Sequence, residues 1–85
     1  MSDEFQHPIS IQIIRLLREE REQRGLSMYV LAKRSGLSQP MIGYVERGLR
    51  NPTLETILRM ADALELDFAE LVTRAQATVA TKRPK

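Results

Sequence analysis

The chain is predicted to be all-α, a compact bundle of five helices. Three observations support this. Apolar residues recur at helical spacing in five successive stretches. Glycine, proline and short polar residues that stop or cap helices stand between those stretches. The whole is 85 residues with 42% hydrophobic content, which fits one small domain. A chain this short buries only a modest share of its surface, so a tight helical core helped by dimerisation is the expected solution.

Residues 1–8 are expected to form a flexible arm, because Met1 to His7 has no periodicity. Pro8 suits the first turn of a helix, and Ile9, Ile13, Leu16 and Leu17 then recur at helical spacing up to Arg24, where Gly25 ends the run. The other face of this helix carries Arg15, Arg18, Glu19, Glu22 and Gln23, read as a solvated surface with charge pairs three and four residues apart. A second helix is placed at about Met28 to Ser35, capped by Ser27, with Val30, Leu31 and Ala32 turned inward.

Gly36 breaks the pattern, and a glycine there frees the backbone for a left-handed residue that a Cβ would penalise. Leu37 plugs the corner. Ser38 caps a third helix, Gln39 to Arg47, with Ile42 and Val45 facing the core. The 100° step per residue leaves Gln39, Pro40, Gly43, Tyr44 and Arg47 along its opposite face.

Thr53 caps a fourth helix in which Leu54, Ile57, Leu58, Ala61 and Leu64 are assigned to the core. Asp67 caps a fifth, with Phe68, Leu71, Val72, Ala75 and Val79 on one side. The first of these are expected to close the core. From Val72 onward two readings stay open: spare apolar surface for a twofold dimer contact, in which all five are interface candidates, or a frayed end rich in alanine and threonine. The domain is thus placed at 9–79, with a basic tail at 80–85.

Charge is divided along the chain. Residues 9–52 hold eight arginines and lysines against four glutamates, whereas residues 53–81 hold two arginines against five acids. A domain polarised in this way presents one side to phosphates and keeps the other for a subunit or for solvent. The absence of cysteine excludes disulfides and thiolate metal sites and is compatible with a reducing cytoplasm. Apolar runs are too short to span a membrane, and the opening MSDEFQHP lacks the regions of a secretory signal, so a cytoplasmic protein is expected. His7 is the sole histidine, and no carboxylates cluster at ligand spacing, so neither a catalytic triad nor a metal site can be assembled. No enzyme activity, cofactor, metal or small-molecule ligand is expected.

Several short motifs stand in a fixed order: Gly25-Leu26-Ser27, Leu31-Ala32, Ser35-Gly36-Leu37-Ser38, Ile42, Val45-Glu46-Arg47-Gly48, Asn51-Pro52 and Leu54-Glu55-Thr56. In this order and spacing, from about Ile13 to Leu71, the chain resembles the phage Cro and repressor-like helix-turn-helix family, also called the xenobiotic-response-element family. The resemblance implies a lambda-repressor-like DNA-binding domain with its helix-turn-helix at 27–48. It also implies an ion pair between Arg21 and Glu46 that ties the first helix to the third. Where the family commonly has a phosphate-binding glutamine, this chain has Met28. Either Met28 only packs, or Tyr29 and the backbone N–H groups of that helix start take over the phosphate.

With the resemblance, the outer face of the 39–47 helix becomes a candidate for the major groove, the worked geometry for this class of motif. Gln39, Pro40, Gly43 and Tyr44 are the candidate base contacts. Gln39 matches the adenine edge, and Tyr44 and Pro40 suit a thymine methyl. Glycine at 43 costs a helix about 1 kcal/mol against alanine, and close approach to DNA would justify it. Ser27, Tyr29, Ser38, Arg47, Arg50 and Asn51 are the candidate phosphate contacts. The expected function is a sequence-specific regulator of double-stranded DNA, a repressor working as a homodimer on a palindromic operator. The competing reading is a protein-interaction module that keeps the fold without specific DNA binding, with Met28, Pro40 and Gly43 as its supporting oddities.

Overall fold

The computed structural model describes residues 6–82 and, among these, forms five helices: α1 Pro8–Gln23, α2 Met28–Ser35, α3 Gln39–Glu46, α4 Leu54–Ala63 and α5 Phe68–Lys82. A side chain closes the N-terminus of each. Hydroxyls of Ser27, Ser38 and Thr53 accept the N–H of Val30, Met41 and Thr56, and the Asp67 carboxylate accepts from Ala69 and Glu70. His7 does the same for α1, its Nδ1 accepting the Ile9 N–H at 3.0 Å. His7 and Pro8 therefore belong to the start of α1 and not to a loose arm. The rest of that expected arm, residues 1–5, lies outside the described residues, as does 83–85 of the expected tail.

The core is built on the pairing of α1 with α5, the most extensive helix contact in the chain. On it pack α3 and α4, and α2 packs on those two, with Leu17, Leu31, Ile42, Val45 and Met60 fully buried. Two expectations about this core change. Leu71, Ala75 and Val79 are buried within the single chain, so they are not available as dimer-interface residues, and α5 continues to Lys82 rather than ending at 79. α5 packs along α1, and an Arg74 to Glu20 ion pair of 3.2 Å joins the two helices. Phe68 and Val72 are half-buried.

On α4 the correction runs the other way. Leu54 and Leu58, assigned to the core, are 63% and 40% exposed, and Met60 is buried in their stead. At 100° per residue, Ile57, Met60, Ala61 and Leu64 make one inward stripe, and Leu54 and Leu58 fall beyond its edge.

One polar contact fixes how α3 sits on α1. Arg21 Nε donates to Glu46 Oε2 at 2.7 Å and Nη2 to Oε1 at 2.9 Å, a fork-on-fork pair, while Nη1 donates to the Leu26 carbonyl at 2.7 Å. The hydrogen bonds to Glu46, reinforced by its charge, hold the Arg21 guanidinium above its ordinary pKa despite burial. That displacement matters only in strong alkali, where a raised pKa begins to be lost, so the arginine stays charged across the neutral range. Replacing Glu46 with Gln leaves a buried guanidinium without its principal counter-charge, with only Glu22 at 3.9 Å remaining, and is expected to cost roughly 3 to 5 kcal/mol in urea denaturation. A loss below about 1 kcal/mol would show that the pair does not hold α3 in place.

Candidate nucleic-acid interface

The two short helices α2 and α3 meet at a corner held by hydrogen bonds. Gly36 ends α2 in the left-handed region, φ 76°, its N–H donating to the Ala32 carbonyl at 3.0 Å. The buried Ser35 hydroxyl donates to the same carbonyl and accepts the Leu37 N–H, both at 3.3 Å. A Cβ on Gly36 would also lie 3.3 Å from Arg59 Nη1, which reaches over from α4 to the Ser35 carbonyl. Residue 36 thus needs a positive φ, and a side chain there would also crowd Arg59. Arg59 also pairs with Glu55 one turn earlier at 2.8 Å, but no sequence pattern points to its contact with the Ser35 carbonyl, a backbone group on another helix.

From this corner α3 emerges with one side buried and one side open. Ile42 and Val45 are fully buried and Glu46 nearly so, while Gln39, Pro40 and Arg47 are exposed and Tyr44 is half-buried. Pro40 sits in the first turn, where its missing N–H costs nothing. Met28, Gln39, Pro40, Gly43, Tyr44 and Arg47 line a shallow hollow of about 330 Å³ on this outer side. Met28 enters the hollow as packing within the chain, and Tyr29 is left exposed with Lys33 Nζ 5.5 Å from its ring centre.

Gly43 differs from the position expected for a base contact. It is buried, and the space beside it is taken by the Arg47 guanidinium and the Met28 sulfur, 3.7 and 3.8 Å from where a Cβ would stand. At α3's far end Gly48 turns left-handed, φ 72°, and the Leu49 N–H closes on the Tyr44 carbonyl at 2.9 Å. The chain then folds back so that Arg50 Cζ lies 5.0 Å and Arg47 Cζ 5.8 Å from the Tyr44 ring centre. Arg50 and Asn51 are exposed. Ser27 and Ser38 have their oxygens engaged as caps, and each keeps a hydroxyl hydrogen to donate.

These features define a class: two helices locked at a glycine corner, the second presenting an uncovered polar face flanked by guanidinium groups. The chain belongs to the helix-turn-helix family, whose model matches residues 17–71. It is 42% identical over 59 residues to an uncharacterized HTH-type transcriptional regulator of Mycobacterium tuberculosis strain H37Rv, a match covering 69% of this chain and 42% of that protein. The chain therefore spans less than half the length of that relative. It is similar to the crystal structure of the restriction-modification controller protein C.AhdI from Aeromonas hydrophila, with a TM-score of 0.66, 44% identity, and coverage of 72% of this chain and 92% of that one. A mutant of the controller C.Esp1396I, solved bound to its highest affinity operator site, shares the fold with a TM-score of 0.72 and 22% identity, covering 82% of this chain and 96% of that one.

Because a Cβ at 43 would meet only ordinary contacts, Gly43→Ala is expected to stabilise the isolated domain by up to about 1 kcal/mol in thermal or urea unfolding. Destabilisation would show that α3 needs the bare backbone for its own packing.

Proposed function

We propose that the chain is a sequence-specific double-stranded DNA-binding transcriptional regulator, a repressor that acts as a homodimer on a palindromic operator. The observation that carries this reading is the open face of α3, where Gln39 and Pro40 are exposed and the half-buried Tyr44 lies beside Arg47 and Arg50. An α-helix fits the major groove, and a side-chain amide at its first turn matches the N6 and N7 edge of adenine. Guanidinium groups at its end suit phosphates, as do the hydroxyls of Ser27, Tyr29 and Ser38 and the amide of Asn51. Family membership supports the reading, and so does the controller of like fold solved on its operator. Such a protein works in the cytoplasm, where its DNA lies. No helix among the described residues is long and apolar enough to cross a membrane.

Dimerisation is assigned to α4 and its approach, where Leu49, Leu54 and Leu58 are large apolar side chains left in solvent. Two copies joined by a twofold axis present two α3 helices to successive major grooves, roughly 34 Å apart along one face of the duplex.

Selection of bound duplexes from a random pool tests the whole proposal: a two-part symmetric motif supports it, and no enrichment at low salt overturns it. Gln39→Ala is expected to cost about 1 to 3 kcal/mol on the selected site and to relax base choice there, whereas Arg50→Ala weakens all duplexes alike and flattens the salt slope by about one. Equal losses on selected and random DNA for both would contradict these roles. Leu58→Glu is expected to turn a dimer into a folded monomer in sedimentation; an unchanged dimer would move the interface elsewhere.

A further inference from the structure

On the side of Arg47 away from the α3 hollow, a second groove of about 360 Å³ runs between α1 and the end of α3, and Arg15, Arg18, Arg47, Gly48 and Glu46 are among its lining residues. We infer that this groove is an additional phosphate-binding site, in which Arg15 and Arg18 of α1 hold the DNA strand that passes Arg47 as it leaves the major groove. The inference rests on the DNA-binding reading above and extends it to residues that the sequence pattern assigned to a solvated surface.

Four observations carry it. Arg47 belongs to both hollows, so the surface is continuous from the base-facing side of α3 to α1. The one acidic side chain in the groove, Glu46, is engaged by Arg21 through both oxygens with only 1% of its side chain exposed, so it repels an incoming anion less than a free carboxylate would. Arg15 has no acidic partner among the described residues. Arg18 is held only by Glu22 at 3.2 Å, in a pair whose side chains are 51% and 50% exposed; such a pair contributes little and yields readily to a phosphate. Arg15 and Arg18 thus line one groove with Arg47 at its rim, and each guanidinium group can donate to phosphate oxygens in a fork.

The occupant is the sugar-phosphate backbone of duplex DNA, so the site adds affinity and register without reading bases. The test is the salt dependence of binding to a selected duplex and to a random one, for the full chain and for Arg15→Gln, Arg18→Gln and Arg24→Gln. Arg24 loses the same charge but lies outside the groove, paired with Glu20. Arg15→Gln and Arg18→Gln are expected to weaken both duplexes by on the order of fivefold at 0.15 M salt and to lower the slope by about 0.9 each, with Arg24→Gln near the parent. An unchanged slope in both groove variants, or an equal change in Arg24→Gln, overturns the groove while leaving the α3 reading in place. Failure of the unaltered chain to bind any duplex at low salt overturns the DNA reading itself and the groove with it. Circular dichroism of each variant, all at exposed positions, verifies that the fold is retained.

Discussion

Arg21 and Glu46 meet in a buried fork that reaches from α1 to the end of α3, and the remaining guanidinium nitrogen holds the carbonyl of Leu26 just before α2. Three segments are thereby tied to one planar group. The pair sets the rotation of α3 about its own axis: with Glu46 turned in, Ile42 and Val45 are turned in as well, and Gln39 and Pro40 remain outside. A helix of eight residues is too short to hold its own shape or orientation without such tertiary contacts. Directional hydrogen bonds select a rotation more sharply than apolar packing, which tolerates sliding.

Once that rotation is set, the outer side of α3 is prepared with little freedom left. Ser38 and Gly36 fix where the helix begins, and Gly48 turns the chain so that Arg50 returns to the ring of Tyr44. An aromatic ring beside two guanidinium groups limits the side-chain motion of all three, so less entropy is lost when they meet a partner. Met28 and Gly43 fill in beneath Arg47, which places its charge at the ridge between the two grooves.

How the chain uses its apolar residues shows where pattern reading succeeds and fails. Helix starts at Ser27, Ser38, Thr53 and Asp67 are legible because a cap is a local event, a side chain bonded to an N–H two or three residues away. The corner at Gly36 is legible for the same reason. The fate of Leu54, Leu58, Leu71, Ala75 and Val79 is not, since a helical stripe announces only that something will cover it. Whether a helix of the same chain does so depends on how the helices are placed against one another. The cap at His7 escapes pattern reading because an imidazole is an uncommon cap and no periodicity precedes Pro8.

By itself the sequence determined the five helices, the glycine corner, the open face of the third helix and, through resemblance, the pairing of Arg21 with Glu46, because each is written in residues a few positions apart or in motifs of fixed order. Only the tertiary structure decided which apolar stripes are spent inside the chain, that Gly43 is roofed by Arg47 and Met28, and that Arg15 and Arg18 share a groove with the end of α3. Those outcomes depend on distances between residues far apart in the chain. They are settled when α1, α3, α4 and α5 compete for the same buried space, and no local pattern records the result of that competition.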